Sequence, residues 1–288
     1  MYKRYYDIDV DAKAYGNNIV KAGGRIPSDI GSVSDFIRRL KQNNLYTSVA
    51  DMWFLRSKQN ISSGNTLYSL KNIKNTCTLV NGATRDDNGI KTLKATSQYL
   101  NIVTPEILDN FTICFIGSNT ASNSTGTPIF NFQVFGRAYA DDTVSLDFAG
   151  TNSLRMFSRT SGVTTTVNPA DSSYGSSTFG FQGISISHDV GSNLFTYRRG
   201  TTVTTSGTPR TKLLLKNRIY APTRNETGAE NFVSLSDFIF SAFFLFSTNV
   251  DSNWNSIYNT YKATAGKGLG LPWDFTILIL MLKIMQSA

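Results

Sequence analysis

Short runs in which apolar and polar residues alternate dominate the chain from about residue 60 to residue 250. In "FTICFIG", Phe111, Ile113 and Phe115 fall on one side of an extended chain, because successive side chains of a β-strand point to opposite faces. The same alternation recurs in "PIFNFQVF", "VSLDFAG" and "KLLLKNRIY". Gly, Asn, Ser and Pro separate the runs, as is typical of turns. The pattern predicts a mainly β fold, an antiparallel β-sandwich of the jelly-roll type.

Three segments add detail to this sandwich. "VSLDFAG" places Ser145 and Asp147 on the face opposite its apolar residues, which predicts that they point outward. "DFIFSAFFLFS" is almost continuously apolar, which favours a central strand covered on both faces. In "SQYLNIVTPEILDNFTICFIGSN", the residues up to Ile102 end one strand, and we predict that "TPEILDN" is the loop leading to the next.

Two short helices are indicated by apolar residues at positions i, i+3, i+4 and i+7. The first series falls in "GSVSDFIRRLKQNN" and the second in "NWNSIYNTYKAT"; their members are Val33, Phe36, Ile37 and Leu40, then Trp254, Ile257, Tyr258 and Tyr261. A helix with such a stripe must pack against another element. We therefore expect both helices to cover the sandwich.

The two termini lack the sandwich pattern. Residues 1–27 show no sustained period, and the alternation in "YDIDVDA" predicts a short strand or an extended arm. We divide the chain into an N-terminal arm with its amphipathic helix (1–59), the sandwich (60–270) and an apolar C-terminal segment (271–288). That last segment is expected to pack on the domain or on a neighbouring subunit. Its run "FTILILMLKIM" is too short to span a bilayer, so we predict no membrane span.

The net charge of +8 is unevenly distributed. Residues 181–224 carry seven basic side chains and one acidic side chain. Within them we define a basic stripe of Arg198, Arg199, Arg210, Lys212, Lys216 and Arg218. Such a stripe could meet an acidic partner, but lysine and arginine also protect solvated strand edges from pairing. We favour the strand-edge interpretation and do not expect nucleic acid as a partner.

The order of these elements resembles the laminin-G-like, concanavalin A-like sandwich domains of bacteriophage structural proteins. The matching pieces, over roughly residues 30–265, include "DFIRRL", "VADMWFL", "NFTICFIGS", "GISISHDVGSNLFTYRRGTTVTTS" and "DFIFSAFFLFSTNVDSNWNSIYNTY". The resemblance implies a virion protein of the head, neck, tail or fibre. It also implies other virion proteins as partners, and we expect a homo-oligomer.

The residues give no support for catalysis. Glycoside hydrolysis needs paired carboxylates, and no strand predicted from about residue 60 to residue 250 alternates acidic residues. The run Ser187-His188-Asp189 is not a triad, because neighbouring strand residues face opposite sides. With one histidine and no closely spaced cysteine pair, we predict no metal site and no cofactor. Whether Cys77 and Cys114 form a disulfide is left open.

Binding of a glycan is the remaining chemistry. Sugar sites combine aromatic faces with polar loop residues, and the candidate glycan or partner contacts are Tyr139, Asp141, Asp142, Tyr174 and Tyr197. The leading hypothesis is therefore a non-enzymatic structural component of a phage particle. The alternative is a receptor- or glycan-binding module of a phage fibre, with a host-surface glycan as its partner. A carbohydrate-active enzyme ranks third.

Overall fold

The fold is a β-sandwich with a layer of helices on one side, here described from a computed structural model. The structure describes residues 7–62, 64–107, 110–121, 127–133, 142–148, 153–160, 163–171, 179–192, 194–199, 202–206, 216–225, 232–233 and 236–272. The prediction of a mainly β, antiparallel sandwich is confirmed.

The elements of the described residues alternate little between helix and strand. The helices are α1 (Val10–Lys21), α2 (Ile30–Gln42) and α3 (Trp254–Ala263), with short 3-10 helices at Tyr46–Ser48, Lys94–Thr96 and Asp251–Asn253. The strands are β1 (Val49–Phe54), β2 (Thr66–Tyr68), β3 (Thr76–Val80), β4 (Thr84–Arg85), β5 (Ile90–Thr92), β6 (Tyr99–Ile107), β7 (Phe111–Asn119), β8 (Pro128–Gln133), β9 (Asp142–Phe148), β10 (Leu154–Thr160), β11 (Val163–Asp171), β12 (Phe179–Asp189), β13 (Leu194–Arg199), β14 (Thr202–Ser206), β15 (Lys216–Ala221), β16 (Arg224–Asn225), β17 (Phe232–Val233) and β18 (Phe238–Phe246).

The strands form two eight-stranded antiparallel sheets. The first sheet has the order β14-β13-β12-β7-β18-β5-β4. Strand β1 also pairs with β18, over residues 242–246, whereas β5 pairs with residues 238–240. The second sheet has the order β11-β10-β9-β8-β15-β6-β3-β2, and β16 pairs with β17 separately. A register shift between Phe240 and Ala242 in β18 changes which of its residues face the second sheet.

Two apolar clusters fill the spaces on either side of the first sheet. The cluster between the sheets includes Phe115, Phe130 and Phe243, and the Phe130 ring centroid lies 5.7 Å from Phe115 and 6.3 Å from Phe243. The other cluster lies between the first sheet and the helices. The first sheet is therefore covered on both faces, which explains the continuous apolar run of β18 and confirms its predicted central place.

The predicted helices α2 and α3 are present, and their apolar stripes are fully buried or nearly so. Phe36 of α2 lies 5.2 Å from Phe244 of β18 and 5.7 Å from Tyr261 of α3, measured between ring centroids. Burying an aromatic side chain of this size contributes roughly 1.5–3 kcal/mol. Both helices are thus anchored by the face that their sequence pattern indicated.

The prediction of a strand or extended arm before residue 27 is wrong, because Val10–Lys21 forms helix α1. Asp9 caps the helix by accepting a hydrogen bond from the backbone N–H of Asp11 at 2.9 Å. Ala12, Tyr15 and Ile19 are buried against α2 and the first sheet. The alternating residues that suggested a strand do not share one buried face.

The predicted loop "TPEILDN" is wrong in its first part, since β6 continues to Ile107. Pro105 lies within the strand, where it can donate no hydrogen bond. The opposing strand β15 shifts register between Lys216 and Arg218, across from this region. A register irregularity is one of the few places where a sheet tolerates proline.

Both cysteines are free and buried, Cys77 in the second sheet and Cys114 in the first. Burial raises the pKa of the Cys114 thiol well above its usual value. Among the described residues, no helix combines the length and the apolar character needed to cross a bilayer. The division of the chain at residues 59 and 270 remains a prediction.

Candidate functional site: a polar groove on the helical layer

A groove of about 550 Å³ opens on the outer side of the helical layer. It is lined by Asp35, Arg38, Arg39, Gln42, Asn43 and Thr260. The first four follow the spacing i, i+3, i+4 and i+7, which places them along one side of α2. Thr260 comes from α3. The groove is thus built by two helices whose sequences lie more than 200 residues apart.

The groove rests on a rigid base. Four apolar residues of α2, the stripe predicted from the sequence, are buried beneath it, and Tyr261 of α3 is buried beside Thr260. A further polar contact links the helices, where the Asn43 Nδ2 donates to Ser256 Oγ at 3.4 Å. Polar groups carried by packed helices hold their geometry better than groups on loops.

The polar groups offered by the groove are mainly hydrogen-bond donors. The Arg38 guanidinium lies 3.6 Å from the Asp35 carboxylate, so that pair is partly neutralised. Arg39 is exposed and forms no ion pair with another described residue. The backbone N–H groups of residues 43–45 satisfy the last carbonyls of α2. What remains is a surface that favours an acceptor-rich or negatively charged ligand.

Of the five predicted glycan or partner contacts, the structure describes Asp142 and Tyr197. Tyr139, Asp141 and Tyr174 lie outside the described residues. Asp142 begins β9, where it is paired with Thr160. Tyr197 is fully buried in the cluster between the sheets, so its ring cannot stack on a sugar in this conformation. The alternation along β13 separates its residues into two faces, but it does not show that the face of Tyr197 is the buried one.

The basic stripe is continuous in sequence but divided in space. Arg210 and Lys212 lie outside the described residues, Arg198 and Arg199 lie on β13 of the first sheet, and Lys216 and Arg218 lie on β15 of the second.

Two of its members are already engaged. Both carboxylate oxygens of Asp251 accept hydrogen bonds from Arg198, and this raises the pKa of Arg198. Arg199 donates to Gln182 Oε1 at 3.1 Å. These contacts tie β13, an inner strand paired with both β12 and β14, to its surroundings.

Ser145 and Asp147 lie on the outer face of the second sheet, as predicted, but both are buried and at most 1% exposed. Neighbouring amides meet the chain that follows β15: Asn131 Nδ2 donates to the Thr223 carbonyl at 2.7 Å, and Gln133 Oε1 accepts from the Asn225 N–H at 3.3 Å. At these two positions the face is therefore covered by residues 223–225 of the same chain.

The adjacent residues Ser187 and His188 have separate environments. Ser187 Oγ lies 2.8 Å from Thr112 Oγ1. The His188 ring is buried, with its centroid 4.4 Å from that of Phe195 and 5.9 Å from that of Phe111. The two side chains lie on opposite faces of β12, so they cannot act together as members of a triad.

The aspartates near the N-terminus bind a lysine. Lys41 Nζ lies 2.8 Å from an Asp9 carboxylate oxygen and 2.5 Å from one of Asp11. Burial alone would lower the pKa of Lys41, but its hydrogen bonds to the two carboxylates raise it on balance. Across the part of the chain that is described, no group of three or more His, Cys, Asp or Glu residues is placed to bind a metal ion.

Asp147 of β9 and Asp237, which directly precedes β18, are also engaged. The Asp147 carboxylate accepts two hydrogen bonds from the Arg155 guanidinium, at 2.9 and 2.7 Å. Asp237 Oδ1 accepts from the Lys94 backbone N–H at 2.7 Å. Each serves a structural contact, and neither faces a second carboxylate in these contacts.

Sequence reasoning missed the groove. The sequence does contain a polar i, i+3, i+4, i+7 series on α2. It begins at Asp35, two positions after the first residue of the apolar series, Val33. Such a polar series is the normal solvated face of any amphipathic helix. The juxtaposition of Thr260 with that series required the tertiary structure.

No protein-family model matches the chain, and comparison with curated proteins finds no matching relative. Solved structures do match its fold. Botulinum neurotoxin type C, in a structure concerned with its interaction with two ganglioside molecules, matches with a TM-score of 0.52 and 10% identity, over 73% of this chain and 51% of the toxin chain.

Two further structures are similar. The binding domain of botulinum neurotoxin DC in complex with SialylT gives a TM-score of 0.50 and 10% identity, over 73% of this chain and 51% of the other. A mutant of Trypanosoma rangeli sialidase displaying trans-sialidase activity gives 0.53 and 9%, over 81% and 39%. At these identities the likeness shows a shared sandwich fold, and the chain spans about half or less of each of these proteins.

Proposed function

We propose that the chain is a non-enzymatic glycan-binding module and that the groove between α2 and α3 is its binding site. The observation that carries the proposal is the convergence of six polar side chains in one groove on a buried base. Guanidinium, amide and hydroxyl groups are the donors and acceptors with which proteins hold sugar hydroxyls. A groove of about 550 Å³ has room for a short oligosaccharide.

The solved structures with this fold support the proposal by what is said of them. The type C toxin interacts with gangliosides, the binding domain of the DC toxin was solved with SialylT, and Trypanosoma rangeli sialidase was solved in complex with sialic acid. All three involve glycan chemistry. Glycan binding is therefore preferred to a purely structural role in a particle.

A binding role is favoured over hydrolysis by the contacts of Asp147 and Asp237. Asp147 is held by Arg155 and Asp237 by a backbone N–H, whereas a glycosidase needs two carboxyl groups facing each other across the scissile bond. The groove itself contains one carboxylate, Asp35. A single acid cannot supply both the acid and the base or nucleophile of that reaction.

The proposal is tested by applying the purified protein to a glycan array and confirming hits by titration calorimetry. The paired variant Gln42→Ala/Asn43→Ala removes two amides from the groove and should weaken binding by about 5-fold to 150-fold, since each of the two lost hydrogen bonds contributes about 0.5–1.5 kcal/mol. The control Ser252→Ala/Asn255→Ala alters exposed residues around the start of α3 and should leave binding unchanged. Absence of binding to every glycan would refute the proposal.

The assignment to a bacteriophage particle, the virion partners and the homo-oligomer remain predictions from the resemblance. If the module is carried by a phage, glycan binding would suit attachment to a host surface. Immunogold electron microscopy of intact particles would locate it, and labelling of no particle component would remove this setting without affecting the groove.

A further inference from the structure

We infer that the ligand of the groove is an anionic saccharide, whose negative group is bound by Arg39 with Arg38 beside it. This inference rests on the proposed function and specifies the class of glycan. It follows from the chemistry of the lining residues, which differs from that of an ordinary sugar site.

The groove has no aromatic side chain among its six lining residues. A sugar therefore cannot gain apolar contact by stacking there. Binding must then come from hydrogen bonds and charge. A hydrogen bond between neutral groups largely replaces one made to water, whereas a charge-assisted bond is roughly twice as strong. A neutral sugar would therefore bind weakly in this groove.

The lining residues of the groove carry more positive than negative charge. Two guanidinium groups face one carboxylate, and that carboxylate lies 3.6 Å from Arg38. Arg39 has no ion-pair partner in the described part of the chain, and its exposed guanidinium is available to a ligand. The nearby cation Lys41 is held by Asp9 and Asp11 and does not contribute.

The positions of the donors in the groove match those of an acidic sugar. A guanidinium presents a planar fork of donors that matches the two oxygens of a carboxylate or the oxygens of a sulfate or phosphate. The amides of Gln42 and Asn43 lie one turn further along the groove and can bind hydroxyl groups of the same molecule. The arrangement thus fits an acidic group attached to a polyol, which describes an acidic sugar.

The test compares sialyllactose with lactose, which lacks the carboxylated sugar, by titration calorimetry at low and high salt. Sialyllactose should bind at least about tenfold more tightly at low salt, and the advantage should shrink as salt screens the exposed charges. Inorganic phosphate is titrated separately. Phosphate binding as tight as that of sialyllactose would overturn the saccharide part of the inference.

Variants of one residue sharpen the comparison. Arg39→Gln should lower sialyllactose affinity about tenfold and leave lactose affinity within about twofold, while Arg39→Lys should fall between, since it keeps the charge and loses the fork. Arg25→Gln removes an exposed guanidinium outside the groove and serves as the matched control. Equal binding of lactose and sialyllactose would overturn the anionic preference and leave glycan binding intact, whereas binding of neither would overturn both.

Discussion

The carboxylate of Asp51 is a buried hub whose removal should strongly destabilise the fold. It lies on β1 with no exposed surface and accepts four hydrogen bonds. Its Oδ1 accepts from the backbone N–H groups of Met52 at 2.8 Å and Lys71 at 3.0 Å. Its Oδ2 accepts from Ser69 Oγ at 2.8 Å and Asn75 Nδ2 at 2.7 Å. Asp51 thereby fastens the segment from residue 69 to residue 75 to the first sheet.

The expected cost of Asp51→Ala follows from the donors it leaves without an acceptor. Ser69 Oγ also lies 2.6 Å from the Asn72 carbonyl, so that hydroxyl keeps a partner. Three donors remain, each costing about 1–3 kcal/mol when buried and unsatisfied, while removal of a buried charge returns part of this. We expect the free energy of unfolding to fall by about 3 kcal/mol.

Urea denaturation followed by tryptophan fluorescence and circular dichroism measures this change. Asp7→Ala, at an exposed acid near the N-terminus, should change stability by no more than about 0.5 kcal/mol and controls for the loss of one negative charge. A loss below about 1 kcal/mol for Asp51→Ala would show that the network is not a stabilising hub.

The same site gives a pH dependence of known sign. Burial raises the pKa of Asp51 above its usual value, against the opposing effect of its four donors. The folded state therefore holds this proton more tightly than the unfolded state. The stabilisation of the fold that results is fully present below the pKa of Asp51 in the unfolded chain, near 3.8. It is lost as the pH rises through the pKa of Asp51 in the folded protein. Relative to Asp51→Asn, the wild-type protein should gain stability between pH 7 and pH 4, and a constant difference would contradict the reasoning.

Three further predictions concern stability, each measured by urea denaturation. Gly89→Ala should lower the free energy of unfolding by more than about 2 kcal/mol, because Gly89 has φ of +148° and an added Cβ would lie 2.1 Å from a carbonyl oxygen of β18. The control Gly64→Ala, at positive φ but with open space around the added Cβ, measures the cost of the backbone conformation alone. Gly183→Ala should also destabilise, since its Cβ would lie 2.4 Å from the Tyr258 ring, and an unchanged midpoint would show that α3 yields freely. Arg155→Met should cost about 3 kcal/mol through Asp147, and adding Asp147→Asn should restore most of it.

The sequence predicted those elements whose burial requires a regular apolar spacing. α2, α3 and β18 fall in this class, because each packs large side chains against a broad surface. α1 escaped prediction for a physical reason: its buried positions include Ala12 and Gly16, small residues that carry little apolar signal, while Val10 is 70% exposed. Its four buried positions follow the same i, i+3, i+4 and i+7 spacing as the apolar stripe of α2, but only Tyr15 and Ile19 carry large apolar side chains.

The candidate site was predictable in still smaller part. Alternation assigns strand residues to two faces but does not say which face is interior, so Tyr197 was placed among surface contacts although it is fully buried. The basic stripe joined residues that the fold distributes over two sheets. Groove residues have no pattern of their own, since a polar helix face looks the same whether or not a second helix lies beside it.

The position of α3 links stability to binding in a way that the two glycine variants can separate. Tyr258, which Gly183→Ala would displace, lies on the same helix as Thr260 in the groove wall. Gly89 lies in the turn between β4 and β5 and contacts β18. At conditions where both variants remain folded, Gly183→Ala should therefore weaken sialyllactose binding while Gly89→Ala should not. Equal binding by both variants would mean that the relation between α2 and α3 does not define the site.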